Sequence, residues 1–192
     1  MSIESGWFRA AVLLLAAAAT VAVTLAFAVL HELDPDPRPR LTLIDQHGQP
    51  FTEGRFENTW SLVFFGFTRC PHICPTELAK LSAALRELER TGRETAIQPV
   101  FVTVDPATDD AAVMRRYLAH FHPRIVGLTG RPDAVEAAAA AFGVLSGGDS
   151  GAGRMAHSTL LYVVDPGGRI VDELPREMSA ADVARRIREL TS

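Results

Sequence analysis

The sequence predicts an α/β domain, a mixed β-sheet with flanking helices, preceded by one N-terminal transmembrane helix. Three observations carry that expectation. From residue 41 onward, short apolar runs of β-type residues alternate with helical patterns. The last two strand-like runs are joined by Pro166-Gly167-Gly168, a hairpin signal, so the sheet is not wholly parallel. Ahead of them, residues 10–30 carry no charge, and Thr20 and Thr24 supply their only polar side chains.

As a helix the run 10–30 extends about 32 Å, against a bilayer core of roughly 30 Å. A cleaved signal peptide ending at Ala26-Phe27-Ala28 and a buried core helix are the alternatives. The run exceeds the ~7–15-residue core of a signal peptide, and Arg9 is the only basic side chain before it. The expected organisation is a tail 1–9, an anchor 10–30, a proline-rich linker 31–40 and one folded domain 41–192. Arg9 before the span and Arg38 and Arg40 after it leave the orientation undecided by charge.

Within the domain, residues 41–52 read as two short strands around a His47-Gly48 turn. Residues 61–67, SLVFFGF, are continuously apolar, as in a strand covered on both faces. Pro75 opens a helix with Leu78, Leu81, Leu85 and Leu88 on one face, ending at Gly92. Residues 97–104 form a second buried strand. A helix from about Asp109 to Ala119 follows, capped by Asp109 or a neighbour. Residues 125–130 hold a short strand, and 131–144 a helix with Pro132 in its first turn. The glycine-rich stretch 146–155 is a loop, the hairpin follows, and Ser179 caps a closing helix.

Composition excludes several classes of function. The net charge of −4 argues against a nucleic-acid binder. Lys80 is the only lysine and lies in a plain amphipathic pattern, which argues against Schiff-base chemistry. Two cysteines exclude a disulfide-framework miniprotein and any four-cysteine metal site. A single disulfide, a redox dithiol and a two-thiolate metal site stay open.

Cys70 and Cys74, in GFTRCPHICPTELAKL (residues 66–81), lie just past the carboxyl end of the strand 61–67, at the mouth of a helix. That is where ligand sites form in open α/β sheets. Pro75 disfavours helical geometry at Cys74, so the helix is expected to begin at Pro75, with Cys70 on the loop folding over Cys74. The helix terminus, and Arg69, favour a thiolate there. Two thiolates are soft ligands that suit Cu(I) over hard ions. A third donor comes from six histidines. His31 falls in the linker, His47 in a turn, and His120 and His122 at a helix end, where C-terminal charge accounts for them. His72 lies between the cysteines and is expected to face solvent. His157 ends the glycine-rich loop just before a strand, where a mobile segment brings a side chain to a site; the alternative is an ordinary loop-end imidazole.

These features resemble the Sco/SenC family, thioredoxin-like copper proteins serving assembly of the binuclear copper centre of cytochrome c oxidase. The resemblance runs through FTRCPHICP, VFVTVDPATD (100–109), GLTG (127–130) and HSTLLYVVDPGGRIV (157–171). It implies that Cys70, Cys74 and His157 are ligands of a copper ion, and that Asp105 supports the site or docks a partner without being a ligand. The implied partners are the copper-bearing subunit of cytochrome c oxidase and an upstream copper donor. Arg69 and His72, and the glycines ahead of His157, set this chain apart within that pattern. True thioredoxins carry two residues between their cysteines and a proline before the hairpin strand; here three intervene, and His157-Ser158 stand at the proline's place.

The resulting reading is a metallochaperone rather than an enzyme, anchored in a bacterial inner membrane with its domain in the periplasm. No Arg-rich transit peptide precedes the span, and an oxidising compartment suits the dithiol. A membrane-anchored thiol–disulfide oxidoreductase is the alternative. A peroxidase lacks the separate resolving cysteine, and a purely structural staple closing so short a loop stabilises little.

Overall fold

The computed structural model describes residues 12–25, 42–55, 58–92, 97–144 and 160–191. The chain divides into two units, Met1–Pro37 and Arg38–Ser192.

In the first unit, residues 12–25 form helix α1, exposed along its length. Thr20 Oγ1 donates to the Ala16 and Ala17 carbonyls at 3.0 and 2.8 Å, and Thr24 Oγ1 to those of Thr20 and Val21. The only polar side chains of the apolar run are thus satisfied within the helix. Among the described residues no helix is long and apolar enough to cross a membrane. Of the span expected over 10–30, only the part 12–25 is described, and the tail 1–9 and linker 31–40 lie outside the described residues.

Among the described residues, the second unit is built on a seven-stranded mixed sheet of order β2-β1-β5-β4-β3-β6-β7. The strands are β1 (Thr42–Asp45), β2 (Pro50–Thr52), β3 (Trp60–Gly66), β4 (Ile97–Thr103), β5 (Val126–Thr129), β6 (Leu160–Val164) and β7 (Ile170–Pro175). The helices are α2 (Ile73–Arg90), α3 (Ala111–Leu118), α4 (Pro132–Ala141) and α5 (Ala180–Leu190). The central β3, β4 and β5 run parallel; β6 pairs antiparallel to β3 and β7 antiparallel to β6.

The centre of the sheet follows from the apolar run in β3. Successive side chains of a strand point to opposite faces, so Leu62 and Phe64 enter one core while Val63 and Phe65 enter the other. Leu78, Leu81, Leu85 and Leu88 of α2, Met114 and Leu118 of α3, and Val183, Ala184 and Ile187 of α5 close the first core. Val135, Ala138 and Ala139 of α4 close the second. Helices cover both faces, as the alternation of elements requires.

Two local outcomes differ from expectation. Helix α2 begins at Ile73, not Pro75, which puts Cys74 inside its first turn. Proline is tolerated there because first-turn amides have no intrahelical acceptor. The cap of α3 falls where expected, on the neighbour of Asp109: it is Asp110, whose side chain accepts from the Val113 amide at 2.7 Å, while Asp109 turns inward. His122 is a buried clasp rather than a surface charge at a helix end: its Nε2 lies 3.0 Å from Glu89 Oε1, and its amide donates to Ser82 Oγ at 3.0 Å.

Candidate metal centre

Both cysteines lie at the carboxyl end of β3, and both are free thiols. Cys74 is fully buried and Cys70 nearly so, at 0% and 7% exposure. The Cys74 amide donates to Cys70 Sγ at 3.4 Å. His72, the residue at the cap position of α2, makes no side-chain cap bond. The Cys70 sulfur therefore stands where a cap acceptor stands, before the positive end of the helix.

The two thiols differ in protonation. Burial works to raise Cys70, but the Cys74 amide and thiol and the His72 and Ile73 amides outweigh it, and its pKa is lowered. Cys74 is pushed up to about 12, by burial first, against the Phe67 amide, and then by Cys70 and the charge of Asp109. Burial, followed by the charges of Cys74, Cys70 and Asp109, likewise raises Tyr117. The Tyr117 hydroxyl is buried and has no hydrogen-bond partner among the described residues, and its ring packs on Phe101 at 5.9 Å between centroids.

The depth of Cys74 depends on a missing side chain. A Cβ on Gly66 would lie 2.7 Å from Cys74 Sγ and 2.9 Å from Phe101 Cε2. Only glycine at the end of β3 leaves room for the sulfur beneath the loop.

Two carboxylates from the β4–α3 connection hold the cysteine loop. Arg69 Nη2 pairs with Asp105 Oδ2 at 2.8 Å and donates to Thr108 Oγ1 at 2.9 Å, with Arg69 largely in solvent. Asp109, fully buried, accepts from the Thr68 amide at 2.9 Å, the Thr68 hydroxyl at 2.5 Å and the Thr103 hydroxyl at 2.8 Å. Asp105 thus sits beside the loop, paired to the motif's own arginine. Of the four residues expected at the site, Cys70, Cys74 and Asp105 converge here, and His157 lies outside the described residues. Among the described residues no group of three or more His, Cys, Asp or Glu is placed to hold a metal; the described part of the centre is a dithiol. Gly66, Thr68, Asp109 and Tyr117 are the members that sequence reasoning passed over. The recurrence of Asp109 four positions after Asp105 was the available signal.

The SCO1/SenC family model matches residues 32–192. The chain is 41% identical over 151 residues to the mitochondrial SCO2 homolog of Mus musculus, covering 77% of this chain and 59% of that protein. It spans a little over half the length of the curated relatives it matches, 59%, 54% and 56% for three of them. The crystal structure of yeast Sco1 superposes with a TM-score of 0.74 at 37% identity, covering 80% of this chain and 96% of that one. Yeast Sco1 with copper bound gives 0.74 at 36% identity, covering 80% and 87%. With the family model matching residues 32–192 and a relative 41% identical over 77% of the chain, the chain belongs to the SCO1/SenC family.

Proposed function

We propose that this chain is a copper chaperone. It holds Cu(I) or Cu(II) through Cys70, Cys74 and His157, and it delivers copper to the binuclear centre of cytochrome c oxidase during assembly. The observation that carries the reading is the buried free dithiol at the mouth of α2, in a chain similar to a yeast Sco1 known with copper bound. Soft sulfur donors suit copper, and the helix terminus favours the thiolate that a metal requires. The register of β6 supports the third donor. Leu161 pairs with Phe64, two positions before Gly66, so β6 starts at the cysteine end of the sheet, and His157 precedes Leu160 by three positions in sequence.

Copper titration of the purified chain with X-ray absorption tests this. One copper with two sulfur neighbours and one nitrogen neighbour is expected, with binding lost in Cys70→Ser and Cys74→Ser and the nitrogen lost in His157→Ala. Native affinity and spectrum in His157→Ala would overturn the three-donor cage. The apolar run 10–30 serves as a membrane anchor that places the domain in the bacterial periplasm. Protease added to intact spheroplasts then digests the domain; protection places it in the cytoplasm instead.

The asymmetry of the thiols favours one second reading, a thiol–disulfide oxidoreductase acting on an oxidase subunit. A lowered Cys70 beside a raised Cys74 is an attacking thiol next to a buried partner. Fast exchange with a model disulfide, unaffected by His157→Ala, selects that reading; copper binding that needs His157 selects the first.

A further inference from the structure

We infer that Asp109 sets which oxidation state of copper the dithiol prefers, favouring Cu(II) over Cu(I) by keeping a fixed negative charge behind the cysteine loop; the inference rests on the copper-binding reading above. Asp109 is fully buried, yet no ion pair among the described residues includes it, and its three hydrogen-bond donors, from Thr68 and Thr103, are neutral. Neutral donors make such a charge tolerable without cancelling it.

Its position relative to the sulfur follows from one short stretch of backbone. The Thr68 amide donates to Asp109 Oδ2, and two residues earlier Gly66 lies against the Cys74 sulfur, where a Cβ would come within 2.7 Å. Carboxylate and sulfur therefore flank the same turn of backbone. Two thiolates with Cu(I) carry a net −1; with Cu(II) they are neutral. A fixed negative charge in a poorly solvated setting penalises the first state more than the second.

Asp109→Asn removes the charge and keeps the shape. The amide oxygen takes the Thr68 amide and the Thr103 hydroxyl, and the amide nitrogen donates to Thr68 Oγ1. In the full chain, the ratio of Cu(II) to Cu(I) affinity is expected to fall about tenfold, which raises the potential of the bound copper by about 59 mV. Thr103→Val keeps the carboxylate but strips one donor from it, leaving its charge less offset, so the potential is expected to drop. A purely structural latch weakens both copper states alike and moves neither potential. An unchanged ratio in Asp109→Asn, or a potential that stays or rises in Thr103→Val, overturns the inference while the wild type binds copper. A wild type that binds neither ion overturns the chaperone reading, and the inference with it.

Discussion

Two buried aspartates organise opposite ends of the sheet, and they do so by different physics. Asp165 governs the β6–β7 turn. Its Oδ1 accepts from the Gly167 and Arg169 amides, both at 2.9 Å, and its Oδ2 from the Arg169 guanidinium at 3.0 and 2.8 Å. Every partner lies within four residues, and a largely exposed arginine offsets the charge. Asp109 governs the cysteine end. Its partners lie 41 and 6 residues away in sequence, and no cation accompanies it among the described residues. A turn closed by local contacts assembles wherever the hairpin forms. A latch between two loops exists only when β3 and β4 are already paired, so it reports the completed fold at the point where the metal chemistry is placed.

Truncation at the two sites is the largest test of that contrast. Asp109→Ala strands two hydroxyls and an amide, each costing about 1–3 kcal/mol when buried and unpaired. A loss of roughly 3–5 kcal/mol in urea unfolding is expected, against about 1–2 kcal/mol for Asp165→Ala, whose orphaned turn amides reach water. The reverse order would break the comparison.

Glycine substitutions give the next largest difference. Gly66→Ala forces a methyl to 2.7 Å from Cys74 Sγ. About 1–3 kcal/mol of destabilisation is expected, with weakened copper binding in titration. At the hairpin end, a Cβ on Gly167 would meet Asp165 Oδ1 at 3.2 Å, and Gly167→Ala is expected to cost less than about 1 kcal/mol and leave copper affinity unchanged. Equal copper defects in the two variants would show that the cavity under Gly66 does not seat the sulfur.

Acid sharpens the contrast with the smallest effect. Burial works to raise Asp165, but the Arg169 amide and guanidinium and the Gly167 amide outweigh it, and its folded-state pKa is lowered. A lowered folded-state value stabilises fully above the unfolded value of about 3.9 and is lost as pH falls through the folded one. Asp165→Asn is therefore expected to lose less stability than wild type below about pH 4, the difference staying under about 1 kcal/mol because Arg169 is solvated. Equal acid profiles would remove Asp165 from the account of the hairpin.

What could be read before the fold was known tracks the same division. SLVFFGF gave β3 to within a residue, because a strand buried on both faces needs an unbroken apolar run. The leucines spaced along α2 gave its buried face, and Pro166-Gly167-Gly168 gave the turn, where Gly168 takes the φ of +79° that favours glycine. The cysteine pair was legible for the same reason, being four residues apart beside a strand end. The cap of α3 was legible to within a residue, because an aspartate ahead of a helix reads as a cap and Asp110 holds that role; that its neighbour Asp109 turns inward to the cysteine loop was not. Gly66 drew no notice because a glycine ending a strand does not reveal that a sulfur lies against it.

The sequence by itself determined the elements, the apolar faces and the dithiol, since periodicity, turn chemistry and short spacing are local properties of the chain. Only the tertiary structure decided how deep Cys74 lies, which aspartate ties down its loop and which one pairs with Arg69. Those outcomes depend on segments tens of residues apart meeting over the ends of β3 and β4, and a meeting of that kind leaves no local pattern in the sequence.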